Sequence, residues 1–160
     1  MEVFKIVDVA KDTFHWILST SDVDRDFEVI DQKGWDLKNF IANPVMLWSH
    51  NYQIPPIGYL KNIFTEPTLE SDLVFNDKEF DEFGWSIGQR VKAGALHCGS
   101  VGFIAKEIEF LESKDRKCDL IYRKQERLEF SICSVPANPF ALNTDKKTIG
   151  QEAAFLKASS

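Results

Sequence analysis

Cysteine, long apolar runs and positive charge are all scarce in this sequence, and each shortage excludes a class of protein. The 160 residues include three cysteines, an odd number that favours free thiols in a reducing compartment over a disulfide framework. Residues 1–10 contain no cationic segment followed by an apolar run, so we expect no secretory signal. Because no apolar stretch is long enough to span a bilayer, we also expect no membrane partner.

Negative charge exceeds positive charge along the chain. The sequence has 25 Asp and Glu against 19 Lys and Arg, which gives a formal net charge of -6. Proteins that bind nucleic acid usually present clustered Lys and Arg to the phosphates, so we expect no nucleic-acid partner. A denser basic stretch at residues 114–127 is typical of a solvated loop and strand surface, and it does not alter this expectation.

Length and residue pattern predict one strand-rich domain over residues 1–160. Hydrophobic residues make up 44% and charged residues 28% of the chain, which is ordinary for a globular protein with a sizeable core. Alternating or compact apolar runs predict strands at residues 3–9, 14–20, 45–48, 59–64, 68–75, 100–111 and 128–135.

One helix stands out among these strands, at residues 79–95. Its apolar residues recur at spacings of three and four, which predicts a single buried face made of Phe80, Phe83, Ile87, Val91 and Ala95. Because strands and helices do not alternate regularly, we expect an α+β fold, mainly an antiparallel β-barrel with a few helices packed outside.

A small nucleophilic side chain lies between two glycines in residues 97–103, His-Cys-Gly-Ser-Val-Gly-Phe. Gly99 and Gly102 carry no Cβ, so we expect a substrate to be able to approach the backbone around Ser100 closely. A serine hydroxyl becomes an effective nucleophile when a neighbouring base takes its proton. Ser100 is therefore a candidate for acyl-transfer chemistry, provided that the fold supplies a base.

His50 and Glu129 are the candidate partners of Ser100. His50 follows the compact apolar run at residues 45–48, so we expect it at the mouth of a buried strand. A neutral imidazole is the usual base because its pKa lies near neutral pH, and a carboxylate on its other nitrogen fixes the tautomer. Glu129 lies in the alternating strand at residues 128–135. Residue types give no distances, so the constellation stays open at this point.

Cys98 is an alternative nucleophile. It lies two residues before Ser100 and therefore on the same strand face, where it could pair with His50 as in a cysteine protease. Side-by-side assays of Cys98→Ser and Ser100→Ala would decide between the two.

Two groups of residues invite a metal, and neither has the usual spacing. The first group combines histidine with cysteine but has one close pair only: His97, Cys98, Cys118 and Cys133. The second group is acidic but lacks the glycine and the distal glutamate of an EF-hand loop: Asp22, Asp24, Asp26 and Glu28. We therefore expect no metal and no cofactor.

Four stretches occur in an order that is typical of one protein family. They are the acidic segment at residues 21–26, residues 34–58 with Asn-Pro-Val-Met-Leu-Trp-Ser-His and Pro-Ile-Gly, residues 99–103, and residues 128–139 with Leu-Glu-Phe-Ser and Pro-Ala-Asn-Pro. Together they span residues 20–142. In this order they resemble the prohead (capsid maturation) serine proteases of tailed bacteriophages and prophages, which are related in fold to herpesvirus assemblin.

The resemblance implies an assemblin-type β-barrel wrapped by helices and a serine endopeptidase activity. It implies Ser100 as the nucleophile, His50 as the general base and Glu129 as the third catalytic residue. The sequence departs from the family pattern at Arg127, where the family often has another acid. This departure leaves Glu126 and Glu129 as competing carboxylates.

The resemblance also implies partners and a place of action. Substrates would be segments of the major capsid protein and of the scaffold, and an autocleavage site would lie near residues 148–160. The enzyme would act within the assembling procapsid, in the cytoplasm of the bacterial host, and related folds often form homo-oligomers. The alternative is a catalytically inactive capsid-assembly or scaffold-binding module with the same fold.

Overall fold

The structure, a computed structural model, describes residues 13–114 and 116–144. Its helices are α1 (Lys38–Ala42) and α2 (Glu82–Lys92), with a short 3-10 helix at Gln32–Gly34. Its strands are β1 (Thr13–Ser19), β2 (Glu28–Ile30), β3 (Trp35–Asp36), β4 (Val45–Trp48), β5 (Gly58–Phe64), β6 (Leu69–Phe75), β7 (Gly99–Phe110) and β8 (Leu120–Ile132). The predicted strand at residues 3–9 and the proposed cleavage region at residues 148–160 lie outside the described residues.

These strands form one curled sheet with the shape of a half-barrel. The strand order is β1-β6-β5-β4-β8-β2, and β3 and β7 also pair with β8. Strand β8 is the centre of the sheet: β7 pairs with it antiparallel along one edge. Along its other edge it pairs in parallel with β2, β3 and β4 in succession. β8 therefore has a neighbouring strand on both edges at residues 120–122, 125–126 and 130–132.

The predicted α+β class is confirmed, because the described chain is mostly strand with few helices. The expectation of a mainly antiparallel sheet needs correction, since the sheet is mixed around β8. The chain leaves β4 and returns to β8 only after β5, β6, α2 and β7, and this long connection lets the two strands run in the same direction.

Helix α2 is shorter than predicted, and two of the five residues expected on its buried face are buried. The Asp81 carboxylate accepts a hydrogen bond from the Gly84 amide and begins the helix there. Ile87 and Val91 are buried in the core, as the spacing predicts. Phe80 precedes the helix and is 70% exposed, so the prediction that it belongs to the buried face was wrong.

No helix in the described part of the chain is long and apolar enough to cross a membrane.

The segment after β8 connects two distant parts of the sheet. The Ile17 amide of β1 donates to the Leu142 carbonyl at 3.0 Å, and the Gly99 amide of β7 donates to the Ala141 carbonyl at 3.0 Å. Residues 141–143 thus lie between the end of β1 and the beginning of β7. They hold Gly99, and with it the neighbouring Ser100, against the rest of the fold.

Candidate active site

His50 lies at the end of β4, where the chain turns sharply. Ser49 and His50 both adopt left-handed backbone conformations, with φ of 48° and 55°. Such conformations are costly for residues other than glycine, at about 1–3 kcal/mol each, and persist where neighbours fix them. The Ser49 amide donates to the Ile132 carbonyl at 2.9 Å, and the His50 amide donates to Ser131 Oγ at 3.0 Å. The end of β8 therefore holds this turn in place.

The His50 imidazole is hydrogen-bonded through Nδ1 to Oε1 of Glu129. Glu129 is 1% exposed, whereas the His50 side chain is 40% exposed. The hydrogen bond to Glu129, together with the charge of that carboxylate, raises the pKa of His50, although burial acts to lower it. With Nδ1 bonded to the carboxylate, Nε2 is the nitrogen that remains to exchange a proton with another group.

Ser131 joins the two residues of this pair. Its hydroxyl donates a hydrogen bond to Oε2 of Glu129 at 2.7 Å and accepts one from the His50 backbone amide at 3.0 Å. The Tyr52 hydroxyl donates to Oε1 of the same carboxylate at 3.4 Å. Burial, followed by the charge and the hydrogen bond of Glu129, raises the pKa of Tyr52. Ser131 and Tyr52 were not predicted as site residues. The position of Ser131, two residues after Glu129 in one strand, is the signal that could have identified it.

Ser100 lies on β7, directly opposite Ser131 of β8, and Gly102 lies directly opposite Glu129. Directly opposed residues of an antiparallel pair place their side chains on one face, with Cβ atoms about 4.5–5.5 Å apart. Ser100 therefore lies on the sheet face that carries Ser131 and Glu129. The role of Ser100 as a nucleophile stays a prediction.

Gly99 and Gly102 make room for side chains of β8, and this role differs from the predicted one. A Cβ at Gly99 would lie 2.1 Å from the Phe130 ring, and a Cβ at Gly102 would lie 2.1 Å from Oε1 of Glu129. Both positions are thus filled by side chains of β8, and they are not openings for a substrate. Gly102 makes the room in which the Glu129 carboxylate lies.

Glu126, the competing carboxylate, has other partners. Its Oε1 accepts a hydrogen bond from Nδ2 of the Asn39 side chain at 2.8 Å, and its Oε2 lies 3.0 Å from the Lys106 ammonium. The hydrogen bond from Asn39 is the largest cause that lowers the pKa of Glu126, and the contact with Lys106 lowers it further. Of the two candidate carboxylates, the structure brings Glu129 to His50.

The cysteine residues are divided between the two ends of β8. Cys98 and Cys133 are neighbours across β7 and β8, since the Cys133 amide donates to the Cys98 carbonyl at 3.3 Å. Cys118 precedes the other end of β8, whose 13 residues extend about 40 Å at the usual rise per residue. The four residues of the His–Cys group, which was considered above as an alternative, therefore do not meet at one ion. Burial raises the pKa of Cys98, which disfavours its thiolate.

The acidic segment forms a turn that packs against the chain after β8. Oδ1 of Asp24 accepts hydrogen bonds from the backbone amides of Asp26 and Glu28, at 2.9 and 3.0 Å. The Arg25 amide donates to the Ala137 carbonyl at 3.0 Å, and the Arg25 guanidinium donates to the carbonyl of Pro136. Two of the four stretches that carry the family resemblance are thus in contact. Carboxylate oxygens of Asp24, Asp26 and Glu28 lie within 4.8 Å of one another.

Comparison with known proteins finds two phage relatives. The chain is 31% identical over 157 residues to the capsid polyprotein of Pseudomonas phage PAJU2. It is 30% identical over 125 residues to the prohead protease of Escherichia phage T5. The alignments cover 92% and 75% of this chain. They cover 22% and 56% of the two relatives, so the chain spans about a fifth of one and just over half of the other.

No protein-family model and no solved structure matches the chain. The two relatives nevertheless support a relationship to phage capsid-maturation proteins, and they agree with the family resemblance of the four sequence stretches.

Proposed function

We propose that the protein is a serine endopeptidase of phage capsid maturation, formed by residues 1–160 as a single domain related to the assemblin barrel. The observation that carries the proposal is the hydrogen bond between His50 and the buried Glu129, on the sheet face to which Ser100 belongs. An imidazole oriented by a carboxylate is the arrangement that activates a serine hydroxyl.

In the proposed mechanism, the Ser100 hydroxyl attacks a peptide carbonyl while Nε2 of His50 takes its proton. Glu129 stabilises the resulting imidazolium through Nδ1, and the imidazolium then gives the proton to the leaving amine. A water molecule, activated by His50 in the same way, hydrolyses the acyl-enzyme and regenerates the Ser100 hydroxyl. No metal and no cofactor takes part in these steps.

The proposed substrates are segments of the major capsid protein and of the scaffold, because the two relatives are named as a capsid polyprotein and a prohead protease. The proposed place of action is the assembling procapsid in the cytoplasm of the bacterial host. We further propose that the enzyme forms homo-oligomers and cleaves its own chain near residues 148–160.

A serine-directed fluorophosphonate probe, read by intact mass, tests the proposed nucleophile. We expect the wild-type protein and Cys98→Ser to gain one probe mass, and Ser100→Ala and His50→Gln to gain none. Labelling of Ser100→Ala at the wild-type rate would refute Ser100 as the nucleophile.

Cleavage of a phage capsid or scaffold polypeptide tests the activity itself. We expect wild type and Cys98→Ser to cut the polypeptide and Ser100→Ala to leave it intact. If wild type neither reacts with the probe nor cuts any such polypeptide, the protein is the inactive assembly module of the same fold. If Cys98→Ser is the inactive variant, the cysteine-protease alternative is correct.

A further inference from the structure

Tyr52 reaches the candidate site with its hydroxyl, and the proposed mechanism gives its ring no role. The hydroxyl donates a hydrogen bond to Oε1 of Glu129 at 3.4 Å. Tyr52 is nevertheless 63% exposed, whereas Glu129 is 1% exposed. Among the described residues, Glu129 is the one hydrogen-bond partner of the Tyr52 side chain, and no aromatic ring or cation stacks on the Tyr52 ring. The ring therefore presents apolar surface to solvent at the site.

The turn after β4 fixes the backbone on both sides of Tyr52. The Asn51 amide donates a hydrogen bond to the Trp48 carbonyl at 2.9 Å, and Oδ1 of Asn51 accepts one from the Gln53 amide at 3.0 Å. Because the turn holds its backbone and Glu129 holds its hydroxyl, Tyr52 loses little further freedom when a group packs against its ring. Aromatic rings that are fixed in this way are effective contact groups for polypeptides.

The Tyr52 ring lies next to the proposed reacting groups. Its hydroxyl and Nδ1 of His50 are hydrogen-bonded to the same oxygen atom, Oε1 of Glu129, so the two side chains are neighbours. Ser100 belongs to the sheet face that carries Glu129. A polypeptide whose carbonyl carbon lies at Ser100 would therefore pass the Tyr52 ring with a residue close to the scissile bond.

The groups around the ring indicate which kind of side chain it would bind. Glu129 is buried and accepts hydrogen bonds from His50, Tyr52 and Ser131, so its carboxylate is not available to bind a cationic side chain of a substrate. The apolar faces of the Tyr52 ring remain. Such faces pack favourably against aliphatic and aromatic side chains.

We propose that Tyr52 is a specificity-determining residue, whose ring binds an aliphatic or aromatic side chain of the polypeptide substrate beside the bond to be cut. This inference rests on the proposed function, because it concerns the substrate of that same site. The hydrogen bond to Glu129 keeps the ring in place, so one residue links substrate binding to the carboxylate that orients His50. Removal of the ring weakens polypeptide binding, whereas removal of the hydroxyl alone leaves the contact surface present.

Binding of the Ser100→Ala protein to an array of immobilised random-sequence peptides tests the contact without requiring proteolysis. We expect this protein to select peptides with an aliphatic or aromatic residue at one position. Addition of Tyr52→Ala should lower the signal on the selected peptides by about tenfold, and Tyr52→Phe, which keeps the ring, should lower it by about threefold or less. Tyr59→Ala is the matched control, because it removes a 43% exposed tyrosine that pairs with Val45, at the other end of β4 from His50. We expect that control to change the signal by less than about twofold.

Three results of the array would contradict the proposal. The first is an equal signal with and without Tyr52→Ala. The second is the selection of peptides without any preference for aliphatic or aromatic residues. The third is a loss in Tyr52→Phe as large as that in Tyr52→Ala, because the contact would then be made by the hydroxyl and not by the ring.

Hydrolysis distinguishes a failure of this inference from a failure of the proposed function. The fluorophosphonate probe reacts with the nucleophile but brings no polypeptide to the ring. With Ser100 intact, we expect Tyr52→Ala to lose at least about tenfold more kcat/KM for the selected peptides than reactivity with the probe, mainly through a higher KM. Equal losses in the two assays would mean that Tyr52 acts only through Glu129, which would overturn the substrate contact while the proposed function stands. Peptide binding that depends on Tyr52, in a wild-type protein that neither reacts with the probe nor cuts a peptide, would support the contact and reject the protease.

Discussion

Replacement of Ser131 by alanine is the sharpest test of the hydrogen-bond network that holds His50 and Glu129. The Ser131 side chain is fully buried, donates to the Glu129 carboxylate at 2.7 Å and accepts the His50 amide at 3.0 Å. Loss of a hydrogen bond to a charged group costs about 1.5–3 kcal/mol, and loss of the partner of an amide costs about 1 kcal/mol. We therefore expect Ser131→Ala to lower the free energy of unfolding by about 3 kcal/mol.

Ser71→Ala is the matched control for this change. The Ser71 side chain is also fully buried, and its hydroxyl donates to the neutral Lys61 carbonyl at 2.6 Å. Because this hydroxyl is not bonded to a charged group, we expect this variant to lose about 1 kcal/mol. Urea unfolding followed by tryptophan fluorescence, in a Ser100→Ala background that excludes self-cleavage, measures both values.

The stability losses of the two serine variants, compared with each other, test whether the network holds the turn. If Ser131→Ala loses no more stability than Ser71→Ala, the network does not hold the turn at the end of β4. The His50 pKa, measured on the same samples, is a second test, because it depends on an intact contact with Glu129. An unchanged His50 pKa in Ser131→Ala would contradict the idea that Ser131 positions this carboxylate.

Two further predictions concern other parts of the sheet. Gly102→Ala places a Cβ 2.1 Å from Oε1 of Glu129. We expect this overpacking to lower the free energy of unfolding by about 1–3 kcal/mol and to reduce peptide hydrolysis by about a hundredfold or more. A kcat/KM equal to that of wild type would contradict this expectation. His15 is bonded to Asp72 at 2.8 Å and to Glu70 at 2.7 Å, and these contacts raise its pKa although burial lowers it. The contribution of these ion pairs to stability is therefore complete below a pH of about 6.5, and it is lost as the pH rises through the folded-state pKa of His15. Urea unfolding should show that His15→Gln lowers the free energy of unfolding more at about pH 6 than at about pH 9. Equal losses at the two pH values would refute the ion pairs.

The strands could be predicted from the sequence because alternation is a local signal. Predicted strands at residues 59–64 and 68–75 agree with β5 and β6 to within one residue at their ends. The parallel pairing of β8 could not be predicted, since it depends on how the long connection from β4 returns to the sheet. Phe83 was expected in the buried face of α2, yet it is 46% exposed and packs edge-on against the Trp48 ring.

The candidate site was partly predictable. Histidine and carboxylate could be identified by residue type and family resemblance, and the structure adds the contact between His50 and Glu129. Ser131 and Gly102 could not be assigned roles, because those roles depend on the register between β7 and β8. A register is a tertiary property: a shift of one residue would turn Ser100 away from the Glu129 face.

The central position of β8 also has a consequence for the order in which the protein folds. β8 comes late in the chain, yet β2, β3, β4 and β7 all pair with it. A nascent chain that ends before Leu120 leaves three early strands without their parallel neighbour, and contacts between such distant segments form slowly. Glu129 reaches His50 only when β8 is inserted. Under the proposed function, peptide hydrolysis would begin only after β8 has been synthesised, so the incomplete chain would not yet cut itself.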